Sequence, residues 1–192
     1  MGTDDRDDKD CDKVCKICLF GADDDDSDDP KGDLVSPCAC RGSAKWIHIE
    51  CLKQWHVSLG GRANLQCPTC KQRYFGDVAV ELARISVENM EKYECSGPQL
   101  ATALNNLGAL LSDMGKYAEA EPLHRRALAI RESVVGLEHP EVAQSLNSLG
   151  GLLKQQGKYE EAAVLFKRSL GILEKVLGPE HLGVATALNN LG

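Results

Sequence analysis

From Leu104 onward the apolar residues recur at helical intervals, and the whole pattern then repeats. Leu104, Leu107, Gly108 and Leu111 fall at i, i+3, i+4 and i+7, one stripe along a helix. Gly115 interrupts that stripe. A second stripe runs through Ala120, Leu123, Ala127 and Ile130 until Gly136 and Pro140 end it. "LNNLG" at 104–108 returns as "LNSLG" at 146–150 and "LNNLG" at 188–192, so Gly108, Gly150 and Gly192 stand 42 residues apart. "GKYAEAEPLHRRAL" at 115–128 is answered by "GKYEEAAVLFKRSL" at 157–170, and "GLEHPEVA" by "GPEHLGVA". Such a period signals stacked two-helix units. It predicts an all-α solenoid over 99–192, two full units and part of a third, with 76–98 as a linker or a degenerate helix ahead of it. Small Gly108 and Ala120, and Gly150 and Ala162 after them, predict a close approach of the two helices in each unit.

Ahead of the array the apolar supply is small. Between Cys15 and Phe75 it rests on Ile17, Val35, Ile47, Leu52, Trp55 and a few others, too little for a secure core. Cysteine takes its place: eight of the nine lie between residues 11 and 70, and none follows Pro98. The candidate ligands Cys15, Cys18, Cys38, Cys40, His48, Cys51, Cys67 and Cys70 read C-x2-C-x19-C-x1-C-x7-H-x2-C-x15-C-x2-C. Eight ligands make two tetrahedral sites, and thiolates with one imidazole suit zinc. Each structural zinc contributes about 10–16 kcal/mol of apparent binding energy in peptide models, so the metal is expected to be part of this fold. Cys11 and Cys95 are left over, although Cys11 could substitute in the first knuckle.

Charge adds a further division. The net charge is -7, yet residues 1–34 alone carry thirteen Asp against five Lys or Arg. The opening 1–13 reads as an acidic solvated tail, and "GADDDDSDDPKGD" as a solvated loop that could steer a basic partner. No apolar run approaches the roughly 18 residues of a membrane span, and no basic stripe suggests nucleic acid. The chain reads as soluble and cytoplasmic, with the nucleus as the other compartment; in that reducing setting clustered cysteines favour metal over disulfides.

The words around the ligands carry a resemblance. "CKICL" at 15–19, "PCACRGSAKWIHIECLKQW" at 37–55 and "CPTC" at 67–70 resemble the RING-CH (RING-variant) finger of ubiquitin ligases, over 14–75. The resemblance implies a small two-zinc cross-brace α+β finger. Cys15, Cys18, His48 and Cys51 would hold one zinc, and Cys38, Cys40, Cys67 and Cys70 the other. It implies no covalent nucleophile: the finger docks a ubiquitin-conjugating enzyme through Ile17, Trp55 and Pro68, and Lys71 contacts ubiquitin. Ordinary core packing is the other reading of Ile17 and Trp55. PHD-like histone readers share the ligand order, but their third and fourth ligands stand two residues apart and their aromatic precedes the seventh ligand, where this chain has Leu65.

The 42-residue words resemble tetratricopeptide repeats, in particular those of kinesin light chains. The resemblance places Asn105, Asn106, Asn147, Asn189 and Asn190 on an inner groove where amides would hold a protein or peptide substrate; helix solvation is the alternative. His124, His139 and His181 are expected to serve packing or turns. The whole chain thus reads as multidomain, a zinc finger followed by repeats. The expected activity is that of a RING-type ligase that recruits substrate or an adaptor, and the alternative is a non-catalytic scaffold or PHD-like reader.

Overall fold

The computed structural model describes residues 34–40, 47–58, 66–67, 69–92 and 97–191. They fall into two compact units, Met1–Leu82 and Ala83–Gly192.

The first unit has short elements. β1 (Leu34–Val35) pairs antiparallel with β2 (Ile47–His48), Leu34 opposite His48 and Val35 opposite Ile47, and α1 (Ile49–Ser58) follows β2 directly. Two-residue strands cannot hold a fold by their ladder alone. The buried set is correspondingly thin: Ile47, Leu52 and Tyr74, with Val78, Ala79, Val80 and Leu82 from the start of α2 (Gly76–Lys92). Residues 69–75 fold back on 66–67, with Cys67 N donating to Gln72 O at 2.8 Å, Lys71 N to Cys67 O at 2.9 Å, and Gln66 bridged to Arg73. Phe75 N then donates to Pro37 O at 3.2 Å, which ties this turn to the segment that carries Cys38 and Cys40.

The second unit is helical throughout its described residues: α3 (Pro98–Asp113), α4 (Tyr117–Val135), α5 (Pro140–Gln155), α6 (Tyr159–Leu177) and α7 (Leu182–Leu191) follow the second half of α2. α3 packs on α4 and α5 on α6, and α4–α5 and α6–α7 contacts stack the pairs. The "GK" words end the first helix of each pair. Lys116 N reaches Leu111 O at 2.8 Å across Gly115, whose φ of 73° suits a residue without Cβ, and Lys158 N reaches Leu153 O at 2.9 Å across Gly157 in the same way. Histidine starts the next pair: His139 Nδ1 accepts from Glu141 N at 3.2 Å and His181 Nδ1 from Gly183 N at 3.0 Å, the turn role expected of them.

Ion pairs between second helices repeat at a similar sequence offset. Glu132 binds Arg168 at 2.6 Å and Glu121 binds Lys158 at 3.0 Å, both linking the α4 region to the next pair. Glu119 binds Arg84 at 2.7 Å, and Arg126 binds Glu91, so the second half of α2 meets α4 as α4 meets α6.

One expected stripe is placed differently. α4 buries Ala120, His124, Ala127 and Arg131, whereas Leu123 and Ile130 are only half-buried. The buried row is thus turned by one residue, and it holds two polar side chains because each finds partners. Ser148 Oγ donates to Gln144 O at 3.1 Å and so accepts from Asn105 Nδ2 at 3.3 Å. That orientation turns Asn105 Oδ1 to His124 Nδ1, 2.8 Å away, which carries the proton. The ring lies on the glycine: a Cβ built at Gly108 would fall 2.8 Å from His124 Nε2, as one at Gly150 would fall 2.7 Å from Phe166 Cε1. The close approach predicted for these glycines is therefore to a ring.

Burial pulls His124 below the ordinary imidazole range, partly offset by a backbone hydrogen bond with Gly108. The folded state then takes up the second, charging proton less readily than the unfolded chain, whose imidazole titrates near 6.5. Its stability contribution is complete above that value and is lost as the pH falls through it toward the folded pKa. Urea midpoints of the helical transition are expected to drop more steeply between pH 7 and pH 5 in the natural protein than in His124→Phe. Equal slopes would remove His124 from the account.

Candidate metal centre

Two knuckles converge in the first unit. The Sγ atoms of Cys38, Cys40, Cys67 and Cys70 all lie within 4.8 Å of one another, with Cys40 and Cys67 3.6 Å apart. A tetrahedron built on zinc–sulfur bonds of about 2.3 Å has edges of about 3.8 Å, so one ion fits among them with little movement. Cys38 and Cys67 are buried and Cys40 and Cys70 half-buried, with no carboxylate in the set. Four soft donors in this geometry suit zinc and not a hard cation.

The turn that carries Cys67 also prepares it as a ligand. Burial works to raise its thiol, but hydrogen bonds from the backbone N–H groups of Cys70 and Thr69 and from the Cys38 and Cys40 side chains bring it down to about 6. At Cys40 burial and the neighbouring sulfurs push the thiol up to about 12. A positive ion at the centre would favour the thiolate at all four.

The remaining predicted residues are distributed around this cluster. His48 ends β2 and Cys51 lies in the first turn of α1, which brings His48 Nδ1 to 3.8 Å from Cys51 Sγ, and both are buried. Cys15 and Cys18, expected with them, lie outside the described residues, as do Ile17 and Pro68. Trp55 is half-buried on α1. Lys71 is exposed and holds a left-handed φ of 58°, fixed by its hydrogen bond to Cys67 O, so the cation leaves the knuckle on the solvent side.

In the helical unit the asparagines are not equivalent. Asn105 spends its amide on His124 and Ser148. Asn147, at the same place one period later, has Phe166 where the first pair has His124, and its Oδ1 is buried without a partner among the described residues. Asn106 and Asn189 are exposed, and Asn190 is half-buried with its carbonyl taking Lys154 Nζ at 3.4 Å. Arg131 was not foreseen: it is 5% exposed and donates to Glu141 O at 3.1 Å, Ser145 Oγ at 2.8 Å and Thr102 Oγ1 at 3.1 Å. Tyr74, also unforeseen as a polar group, is buried.

Residues 15–70 match the RING-variant domain, and residues 99–175 and 149–192 match the tetratricopeptide repeat. The chain joins a RING-variant domain to tetratricopeptide repeats. The four-cysteine cluster lies within that match. Similar proteins include the E3 ubiquitin-protein ligase MARCHF5 of Xenopus laevis, 40% identical over 67 residues, 33% of this chain and 22% of that protein. Human E3 ubiquitin-protein ligase MARCHF11 is 36% identical over 61 residues, 32% of this chain and 13% of that protein. Mouse E3 ubiquitin-protein ligase MARCHF7 is 29% identical over 121 residues, 57% of this chain and 17% of that protein. The chain thus spans no more than 22% of the length of these relatives.

Among solved structures the repeat fold returns. BtubC (BKLC) of P. vanneervenii superposes with a TM-score of 0.54 at 23% identity, over 75% of this chain and 52% of that one. A Podosopora anserina protein of nearly identical kinesin-light-chain TPR-like repeats gives 0.55 at 26% identity, over 59% of this chain and 54% of that one. No helix among the described residues is long and apolar enough to cross a membrane.

Proposed function

We propose that this chain is a RING-type E3 ubiquitin ligase whose repeats recruit the protein to be modified or an adaptor for it. The observation that carries the reading is the four-sulfur cluster inside a RING-variant match. Two zinc ions brace the finger, one held by Cys38, Cys40, Cys67 and Cys70 and one by Cys15, Cys18, His48 and Cys51. All eight side chains are then occupied by metal, which leaves no cysteine of the set as a nucleophile. Catalysis is by orientation: the finger docks a conjugating enzyme and holds its thioester-linked ubiquitin where an incoming amine can attack.

Ile17, Trp55 and Pro68 form the docking face, and Lys71, standing clear of the knuckle, contacts ubiquitin. The repeats supply recruitment through Asn106, Asn147, Asn189 and Asn190, while Asn105 acts chiefly as an internal tie. A reducing compartment such as the cytoplasm keeps the thiols available for metal. The similarity to named ligases supports this reading over the scaffold.

Ile17→Ala and Trp55→Ala are expected to lower ubiquitin transfer at least tenfold with two zinc ions per chain retained. Loss of zinc in either variant would make that residue part of the core. Full transfer by both would remove the docking face.

A further inference from the structure

The two junctions of the helical array are built from opposite chemistry on one frame. α5 and α7 each begin at a histidine turn and carry nearly the same words, "EVAQSLNSLG" and "GVATALNNLG". Each packs on the second helix of the preceding unit, α5 on α4 and α7 on α6. At the first contact the buried Arg131 donates to Ser145 Oγ at 2.8 Å and to Glu141 O at 3.1 Å, and Asn105 Nδ2 donates to Ser148 Oγ at 3.3 Å. At the second contact Leu173 stands in the place of Arg131 and Ala187 in that of Ser145, both inside an apolar cluster.

An exchange of neighbours is therefore unfavourable in both directions. With α7 against α4, Ala187 would face the Arg131 guanidinium, which loses its hydroxyl acceptor where water does not reach. With α5 against α6, the buried Ser145 hydroxyl would face Leu173. Each mismatch orphans a buried polar group, and the charged one costs more.

We propose that Arg131 and Ser145 select α5 over α7 as the neighbour of α4, and so keep the units of one chain from docking on those of another. Repeat arrays share their packing surfaces, and exchange of units between chains is a characteristic way for them to misassemble. A polar pair at one junction and an apolar pair at the next makes the two surfaces mutually exclusive. Stability and selection are then separable. Replacing both polar partners by apolar residues orphans nothing, so the fold stays stable, but the two junctions become alike and selection is lost.

The test refolds the full chain from urea, with zinc and reductant, over a range of protein concentrations. Light scattering after size exclusion gives the fraction in dimers and larger species. Arg131→Leu with Ser145→Ala is expected to raise that fraction about tenfold or more over the natural chain, the factor that one orphaned buried donor supplies. Both replaced side chains are buried, so the outer surface is unchanged and the added oligomer comes from exchanged units. Adding Leu173→Arg and Ala187→Ser moves the polar pair to the other junction, and this fourfold variant should return to the monomer because the junctions differ again. The same oligomer fraction in the natural chain and the double variant would overturn the proposal. So would added oligomer in a double variant whose urea midpoint has fallen, which would show lost stability in place of lost selection. Persistent oligomers in a folded fourfold variant would overturn it too, since matched junctions would then have no effect.

Discussion

Cys67→Ser is expected to lower bound zinc from two ions per chain to one or none, to unfold the finger, and to reduce ubiquitin transfer to background. The size of the effect follows from how little else holds this unit. Its described strands are two residues long, and its buried apolar set is a handful of side chains. A zinc ion among four thiolates contributes about 10–16 kcal/mol, more than the net stability of most small domains. Cys67 is the most buried of the four ligands and sits 3.6 Å from Cys40, so a serine oxygen there shortens one edge and offers a poor ligand. The helical unit has its own apolar core, from Val142, Leu146, Ile172 and Leu173 to Val184, and its far-ultraviolet signal should survive. Zinc analysis and circular dichroism on the same sample check both halves. A folded finger with full zinc in Cys67→Ser would contradict the ligand assignment.

Arg131→Ala is expected to destabilise the helical unit by about 3 kcal/mol, read as a lower urea midpoint. The guanidinium ties three helices: Thr102 on α3, and Glu141 O and Ser145 Oγ on α5, from its own place on α4. Truncation opens a cavity and leaves Ser145, which is 0% exposed, without its donor. Breaking a buried pair costs about 3–5 kcal/mol, and the Glu141 carboxylate is 41% exposed, which favours the lower end. The next junction shows the apolar solution to the same problem. Leu173 occupies the place of Arg131 and Ala187 that of Ser145, and both lie in one apolar cluster. Arg131→Leu with Ser145→Ala should therefore recover most of the loss, since removing both partners leaves no orphan. Equal instability of the double variant would show that the arginine stabilises in some other way.

What could be read from the chain alone follows from the range of each signal. The repeats were legible because their words are local: Gly115 and Gly157 end helices by backbone conformation, and Leu104, Leu107 and Leu111 form a stripe in any context. The ligand pairs were legible for the same reason, since C-x2-C and H-x2-C grip within one turn. Which pairs share an ion is a long-range property that rested on resemblance; the structure brings Cys38 and Cys40 to Cys67 and Cys70, and His48 to Cys51.

Buried polar residues were hidden, because polarity in an amphipathic helix reads as outward-facing. His124 and Arg131 turned out to face inward, in a row displaced by one residue from Leu123 and Ile130. Comparison of the units word by word held the clue: His124 aligns with Phe166, Arg131 with Leu173 and Ser145 with Ala187, a polar set in one unit answered by an apolar set in the next. Tyr74 could be counted as core, but the isolation of its hydroxyl among the described residues depends on coordinates.

The central claim is that this chain transfers ubiquitin by means of a zinc-braced finger. The most direct measurement is autoubiquitination by the purified chain across a panel of conjugating enzymes, with zinc counted on the same sample and His48→Ala, Cys51→Ala as the control. Ubiquitin chains made by a two-zinc protein and absent from the control are the predicted result. Two zinc ions with no transfer by any member of the panel would contradict the account and leave a zinc-braced scaffold in its place.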